Sequence, residues 1–401
     1  MKVLFILTLF PRHEKEIFNP WMIETIKRLR ERGVEVTVYV PSYRGLGDHL
    51  YQGIPVKRFR YFFRRWEILS HDETVPDQIR RNKLFALLVI PYLIFGTLGL
   101  RKLCRREKFD IIHVHWPFPH GIFGYFAGRW ACSPVINQFH GVELSWVARK
   151  MPFFIPFLRW VIARSALVIA NSSHTRTAIE RISQKARVEV MPYGSPVPEP
   201  VGQWQAEKDP RRRRKVLFVG RLVERKGVPW LIRALKEIDC PFPVELDIVG
   251  SGPEEEALHT LARELDLAGK VNFTGKISSD KLNKYYSACD CFVLPAVVDS
   301  EGNTEGLGVV LIEALSFRKP VVASALGGIV DVINHEKTGL LVPEKDSPAL
   351  AAAITRVLTD EELARRLGEE GFRFVREYFN WDRIISRWIE LYAELAAGWV
   401  K

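Results

Sequence analysis

An apolar strand runs into a basic loop bounded by glycines at Lys215-Val-Leu-Phe-Val-Gly-Arg-Leu-Val-Glu-Arg-Lys-Gly227, and a helix is predicted next over Val228–Glu237. Loops at the carboxyl ends of parallel strands form the ligand-binding crevice of α/β folds. Arg221 and Lys226 are therefore expected in that crevice, where a guanidinium fork and a compact ammonium suit a diphosphate. The alternative is that both are only solvated, as exposed Arg and Lys usually are.

A second loop with glycines follows the predicted strand Cys291–Leu294 and reads Asp299-Ser-Glu-Gly-Asn-Thr-Glu-Gly-Leu-Gly-Val-Val-Leu-Ile-Glu-Ala-Leu315. Its apolar end predicts a helix that begins at Val309. Gly306 and Gly308 let the backbone approach a ligand, and the free N–H groups at the helix start face it.

Two carboxylates accompany this second loop. Glu305 precedes the helix, and Glu313 lies roughly 7–8 Å further along its axis. That separation is too large for a shared proton but suits hydroxyl groups at the two ends of a diphosphate. Alternatively, the helix dipole favours Glu305 and Glu313 is solvated. The apolar neighbours of Glu313 argue against solvation.

Alternating apolar runs and amphipathic segments predict an α/β protein with two doubly wound parallel sheets. The predicted strands are Val3–Thr8, Glu35–Val40, Ile111–His115, Val135–Gln138, Leu167–Ala170, Val188–Met191, Lys215–Val219, Val244–Val249, Val271–Thr274, Cys291–Leu294, Val321–Ala323 and Leu340–Val342. The intervening helices include Trp21–Arg32, Val228–Glu237, Glu254–Leu265 and Leu350–Arg356. The first apolar run, Val3–Phe10, is followed by charged residues and not by a small-residue cleavage site. We therefore expect a buried strand there and not a signal peptide.

A proline-rich segment, Pro192–Pro200, and the polar residues after it separate the two halves. We predict a first domain over 1–197 and a second over 211–379. The basic run Arg211–Lys215 abuts a predicted strand, so we interpret it as the solvated end of a linker and not as a nucleic-acid motif.

Charge is distributed unevenly along the 401-residue chain, whose net charge is +11. Residues 1–200 hold 30 basic and 16 acidic side chains, whereas 201–401 hold 28 and 31. The first half therefore attracts polyanions such as phosphorylated substrates, anionic lipid or nucleic acid, or else has an inert basic surface. Five sparse cysteines suit a reducing compartment, and the Cys289-x-Cys291 pair lacks the second ligand pair of a zinc site.

The segment Leu84–Leu100 carries no charge over 17 residues and has basic residues on both flanks. Its length is at the lower limit for a spanning helix, ~17–25 residues, and it contains proline and glycine. We expect a helix that docks on an anionic membrane surface through 80–106. An entirely buried core helix is the alternative. Met151–Trp160 is a second aromatic-rich stretch, which either widens an apolar acceptor surface or packs in the core.

Further motifs follow in a fixed order: Ile248-Val-Gly-Ser-Gly-Pro-Glu254, Val271-Asn-Phe-Thr-Gly-Lys-Ile277, Gly327-Gly328 and Thr338-Gly-Leu-Leu-Val-Pro343. With Glu305-x7-Glu313 and Phe218–Gly227, nearly the whole chain resembles the retaining glycosyltransferases of the GT-B fold, the group 1 family. The resemblance implies two Rossmann-like domains facing each other across a cleft. Residues 380–401 resemble the final helix that crosses back to the first domain.

The resemblance also implies roles for individual residues. Arg221 and Lys226 would hold the diphosphate, and Glu305 would grip the donor sugar. His140, in Gln138–Glu143, resembles the histidine that contacts that sugar; a buried core histidine is the alternative. The remaining donor-binding residues would be Gly220, Gly250, Gly252, Lys276, Ile277, Gly306, Leu307, Gly308 and Glu313.

The implied function is metal-independent hexosyl transfer with retention, by front-side attack and without a covalent adduct. The donor would be a UDP- or GDP-sugar, with no other cofactor. A glycan or polyprenyl-linked acceptor at the cytoplasmic face of the bacterial plasma membrane would fit polysaccharide biosynthesis. An epimerase or phosphorylase of the same fold is the alternative. A dehydrogenase is disfavoured because Glu255 replaces a phosphate-loop glycine, and no nucleic-acid partner is expected.

The first loop departs from the pattern of many family members. They carry two glycines after the first strand, but Thr8–Lys15 holds Phe10-Pro11 instead, as in a subset resembling lipid-linked and cell-surface polysaccharide synthases. The resemblance therefore does not extend to the phosphate contact of that loop. His113 and His115 share a strand face, and we expect them to line the crevice, because no third metal ligand is evident.

Overall fold

The computed structural model describes residues 1–14, 16, 18–70, 78, 82–195 and 213–399. The chain divides into two units, each an α/β structure around one sheet. Unit 1 comprises Met1–Asn171, Thr175–Met191 and Asp382–Lys401, and unit 2 comprises Ser172–His174 and Pro192–Trp381. Two α/β units with parallel sheets confirm the predicted fold class.

The strands form an eight-stranded and a six-stranded sheet. In chain order they are β1 Lys2–Ile6, β2 Glu35–Pro41, β3 His49–Tyr51, β4 Ile54–Phe59, β5 Ile111–His115, β6 Val135–Phe139, β7 Leu167–Ala170, β8 Val188–Val190, β9 Arg214–Val219, β10 Val244–Val249, β11 Val271–Gly275, β12 Cys291–Leu294, β13 Val321–Ser324 and β14 Leu340–Val342.

The helices alternate with these strands. They are α1 Pro20–Glu31, α2 Val89–Arg106, α3 Pro117–Ala131, α4 Val142–Lys150, α5 Ile155–Ala163, α6 Ser173–Ile182, α7 Val228–Glu237, α8 Glu255–Glu264, α9 Ser279–Ala288, α10 Val309–Ser316, α11 Ser347–Thr359, α12 Glu361–Tyr378 and α13 Trp381–Gly398. Short 3-10 helices cover Arg64–Trp66, Lys83–Leu88, Pro152–Phe154, Glu224–Lys226 and Ile329–Asp331.

The sheet of unit 1 has the order β3-β4-β2-β1-β5-β6-β7-β8. All neighbours are parallel except β3, which pairs antiparallel with β4. Central strands such as β5 are buried along their whole length, because helices cover both faces. β1 ends at Ile6, two residues before the predicted Thr8.

The sheet of unit 2 has the order β11-β10-β9-β12-β13-β14 and is entirely parallel. The register aligns Val219 at the end of β9 with Val249 at the end of β10. Since parallel strands end at one edge, the loops after β9, β10 and β12 lie together. That edge positions the predicted phosphate-binding residues.

The segment joining the units is described only as far as Ser195. The Ser195 N–H donates to the Phe379 carbonyl over 2.9 Å, and Trp381 Nε1 donates to the Ser195 carbonyl over 2.6 Å. These bonds tie the segment to unit 2, although the predicted first domain extends to 197. The rest of the proline-rich segment, the polar residues after it, Arg211 and Arg212 lie outside the described residues.

Candidate functional site

Three loops at the carboxyl edge of the unit 2 sheet are joined by backbone hydrogen bonds. The Gly220 N–H donates to the Val249 carbonyl over 3.0 Å, and the Gly250 N–H donates to the Gly275 carbonyl over 3.0 Å. Gly250 has φ +135°, and a Cβ there would lie 1.9 Å from the Gly220 oxygen, so only glycine fits. Gly252 follows Gly250 in the second of these loops. This edge therefore brings together Gly220, Gly250 and Gly252, three of the predicted donor-binding residues.

Lys276 and Ile277 follow β11 on the same edge. Lys276 is exposed and Ile277 is half-buried. They lie next to the Gly250–Gly275 contact, and their predicted role in donor binding stays a prediction.

The basic loop, residues 220–227, presents its two cations differently. Arg221 is exposed, and its side chain makes no hydrogen bond or ion pair within the described part of the chain. Lys226 is buried, and its Nζ forms an ion pair with Glu305 Oε2. The Val297 N–H donates to the Arg225 carbonyl over 2.9 Å, which fixes the loop against the segment after β12. The structure thus brings Lys226 and Glu305 together, 79 positions apart in sequence.

Glu305 is an ionised carboxylate in a mostly buried setting. Burial raises its pKa, but the ammonium of Lys226, the charge of Arg225 and the Gly308 N–H outweigh that effect. The net pKa therefore lies below the ordinary value. The Glu305 carbonyl accepts the Gly328 N–H over 2.9 Å. A Cβ on Gly328 would lie 2.0 Å from the Gly306 oxygen, so glycine permits this approach.

The acidic loop, residues 299–308, is held by side chains at both ends. The Asp299 carboxylate accepts the Asn303 N–H over 2.7 Å. Glu224 of the basic loop accepts the Ser300 hydroxyl over 2.7 Å. The loop ends at buried Leu307 and at Gly308, which has φ +79° and precedes α10. Among the described residues, no side chain caps this helix start, so its N–H groups are available to an anion.

Glu313 on α10 has a partner that the sequence did not reveal. Tyr286 on α9 donates its hydroxyl to Glu313 Oε2 over 2.5 Å. Burial raises the pKa of Glu313, while the Tyr286 bond and the charge of Lys226 partly oppose it. Lys226 therefore acts on both carboxylates, and Glu313 is not the solvated residue of the alternative interpretation. The residues next to Glu313 in the sequence do not indicate that Tyr286 is its hydrogen-bond partner.

In unit 1, His140 follows the end of β6 and is 6% exposed. Its ring stacks on Trp116 at 4.3 Å between centroids, and its Nε2 lies 3.3 Å from Nδ1 of His115. Burial lowers the pKa of His140 to about 3, assisted by His113, so the imidazole is neutral at pH 7.

Glu143 supports the backbone at His140. Its Oε1 accepts the His140 N–H over 2.8 Å, whereas its Oε2 is buried and has no hydrogen-bond partner among the described residues. Burial raises the pKa of Glu143 to about 7, although the His140 and Glu143 N–H groups oppose the shift. The Glu143 carboxyl therefore remains partly protonated near neutral pH.

The expectation that His113 and His115 line the crevice is wrong. Both are buried, at 1% and 2% exposure. His113 Nδ1 lies 2.9 Å from Tyr392 Oη, and its ring packs 4.9 Å from Trp388, because α13 covers this face of the sheet. Within the described ranges, no group of three His, Cys, Asp or Glu residues could hold a metal ion.

The first loop is organised by a buried arginine. Arg58 donates from Nη2 to the Phe10 and Pro11 carbonyls, each over 3.0 Å, and from Nη1 to the Pro41 carbonyl over 2.9 Å. A guanidinium thus fixes the loop that follows β1.

Comparisons with known proteins agree with this geometry. The family model described as glycosyl transferases group 1 matches residues 203–374, and the one described as glycosyltransferase family 4 matches residues 21–196. The GDP-mannose-dependent alpha-(1-6)-phosphatidylinositol monomannoside mannosyltransferase of Mycobacterium tuberculosis is 31% identical over 396 residues, with 96% of each chain covered. The chain is a group 1 glycosyltransferase. The predicted family is confirmed.

Two solved structures show that this glycosyltransferase shares their fold. Sucrose-phosphate synthase from Thermosynechococcus elongatus aligns with a TM-score of 0.75 at 23% identity over 99% of each chain. Anabaena HepE in complex with UDP and glucose aligns with a TM-score of 0.68 at 20% identity over 98% of this chain and 100% of that one. The glycosyltransferase uses a nucleotide sugar as donor, and an epimerase or phosphorylase is not favoured.

Proposed function

We propose that the glycosyltransferase is a retaining hexosyltransferase whose donor diphosphate lies between the basic loop and the start of α10. The observation that carries this proposal is the buried Lys226–Glu305 pair beside Glu313 and Tyr286. The donor is a UDP- or GDP-sugar. GDP-mannose is the first candidate, because the mycobacterial relative is named for it.

The reaction builds negative charge on the departing nucleotide. The ammonium of Lys226 and the N–H groups at the start of α10 are fixed donors for that charge, and the exposed Arg221 adds a second cation. They supply the electrostatic stabilisation that a metal ion would otherwise give, so the proposed mechanism is metal-independent, with attack from the face that the nucleotide leaves. His140, neutral at pH 7, is proposed as a hydrogen-bonding contact of the sugar.

The carboxylates have separate proposed roles. Glu305 is ionised and accepts hydrogen bonds from hydroxyls of the donor sugar, while Lys226 holds it in place. Glu313 keeps Oε1 for the ribose hydroxyls because Tyr286 occupies Oε2. The two carboxylates would thereby grip opposite ends of the donor.

The acceptor is proposed to be a lipid-linked glycan at the cytoplasmic face of the plasma membrane, where the protein acts as a peripheral enzyme. Two observations support this proposal: the excess positive charge of the first half and the partly exposed apolar helix α2. The relative from M. tuberculosis is named for a phosphatidylinositol mannoside.

Incubation with labelled GDP-mannose and other nucleotide sugars, with a bacterial lipid extract as acceptor, tests this function. We expect label in the lipid fraction and an α-linkage from an α-linked donor by NMR. An inverted linkage would refute retention. A new nucleotide sugar without acceptor would indicate an epimerase, and phosphate-dependent release of sugar phosphate would indicate a phosphorylase.

A further inference from the structure

The segment Lys83–Arg106 presents an apolar row to solvent. It is 24 residues long and apolar enough to cross a membrane, and 28% of its 18-residue apolar window is buried. The exposed fractions are 50% or more for each member of the row, which consists of Leu84, Leu87, Ile90, Ile94, Phe95 and Leu98. The alternative of an entirely buried core helix is therefore wrong.

The opposite face of the same segment is part of the unit 1 core. Tyr39 donates its hydroxyl to the Gly96 carbonyl over 2.6 Å, and the rings of Tyr61 and Tyr92 lie 5.3 Å apart. A helix that crossed a bilayer would break these contacts. The segment therefore lies along the surface of unit 1, with its apolar row outward.

A second exposed element, the aromatic-basic loop Phe62–Trp66, lies beside the start of this segment. Trp66 packs edge-on against Phe85 with centroids 6.2 Å apart, and Phe63 is 73% exposed. The loop is fixed from beneath by Glu67, which is fully buried and accepts the Tyr61 N–H over 3.0 Å. Two exposed aromatic side chains on a rigid loop suit the interface between water and lipid.

Cations accompany both elements. Arg64 and Arg65 sit within the loop, and Arg101, Lys102 and Arg105 continue the outward face of α2 beyond Leu98 by helical spacing. None of these five pairs with a carboxylate within the described residues. Their charge is therefore available to a polyanionic partner.

We propose that the aromatic-basic loop and the outward row of Lys83–Arg106 form one docking surface for an anionic phospholipid bilayer. The apolar side chains enter the headgroup boundary, and the flanking cations contact lipid phosphates. A second copy of the chain fits less well, because a symmetric contact would oppose five cations to their equivalents. This proposal rests on the proposed function in one respect: binding to the bilayer would place the enzyme beside its lipid-linked acceptor.

Flotation of the full chain with vesicles of phosphatidylcholine and phosphatidylglycerol tests the surface. We expect binding to mixed vesicles and little to phosphatidylcholine alone. Leu87→Ser/Ile94→Ser and Phe63→Ser/Trp66→Ser should each lower partitioning about tenfold or more. Arg64→Gln/Arg65→Gln should do the same and reduce the salt dependence. The matched control Lys281→Gln/Lys284→Gln changes exposed lysines of unit 2 and should bind like wild type.

Thermal unfolding and slow donor hydrolysis in solution are measured on every variant, so loss of folding or of the proposed chemistry is seen separately from loss of docking. Reduced partitioning with wild-type unfolding and hydrolysis supports the surface. Unchanged partitioning in all three surface variants would overturn it. The proposal would also be overturned if the wild type failed to bind vesicles but formed a dimer that Leu87→Ser/Ile94→Ser dissociates.

Discussion

Replacing Lys226 with methionine removes the ammonium that neutralises Glu305 and leaves the carboxylate in place. The two side chains are only 11% and 14% exposed, so water cannot substitute fully for the lost partner. Breaking a buried pair in this way costs about 3–5 kcal/mol of unfolding free energy. Loss of a cation at the departing diphosphate should also reduce kcat about 100–1000-fold.

The double variant Lys226→Met/Glu305→Leu separates these two effects. With both charges gone, we expect most of the unfolding free energy to return, since an apolar pair can replace an ion pair of similar volume. Transfer should remain lost. Urea unfolding and a labelled transfer assay measure the two quantities, and Lys236→Met, an exposed lysine on α7, serves as the control. A double variant no more stable than Lys226→Met, or one that still transfers sugar, would refute the reasoning.

Further predictions concern protonation, the nucleotide and metals. Because the pKa of Glu143 is raised from 4.5 to about 7, the folded state binds an extra proton between these pH values, and the unfolding free energy of the wild type should fall by roughly 3 kcal/mol as pH rises from 4.5 to 7. Glu143→Gln should lose this pH-dependent part of the unfolding free energy, measured by urea unfolding at several pH values. A variant whose unfolding free energy changes with pH as that of the wild type does would contradict the assignment. Tyr286→Phe removes the donor to Glu313 and should weaken GDP or UDP binding about tenfold by calorimetry, whereas Tyr285→Phe should not. EDTA should leave the transfer rate unchanged, and a strict requirement for divalent ions would count against the proposed mechanism.

The elements that the sequence predicts best are strands buried on both faces. Ile111–His115, Val244–Val249 and Cys291–Leu294 appear with the predicted bounds. Short segments rich in Val, Ile and Leu are typical of strands that are covered on both faces of a parallel sheet. β3 and β4 were not predicted. The edge strand β3, His49–Tyr51, is short, and the next strand, Ile54–Phe59, carries Lys57 and Arg58.

Helix α3 was also missed, and its composition explains why. It begins with Pro117 and contains Gly121 and Gly124, which disfavour a helix in isolation. In the fold, a Cβ at Gly121 would lie 2.5 Å from Val161, and one at Gly124 would lie 2.6 Å from Val114. Close packing requires these glycines, and only the tertiary structure shows it.

The same distinction holds for the candidate site. Glu305 and Lys226 were predicted because each lies in a loop at a strand end, where topology alone brings residues together. Tyr286 and Arg58 were not, because nothing near them in sequence shows which buried group each will meet. The prediction for the histidines of β5 was wrong because their alternation indicates that they share one face of the strand but does not show that α13 covers that face.

A crystal structure of the glycosyltransferase with bound GDP or UDP tests the central claim most directly. We predict the diphosphate between Lys226 and the first N–H groups of α10, and the ribose hydroxyls at Glu313. A nucleotide bound at any position away from the basic and acidic loops would contradict the account.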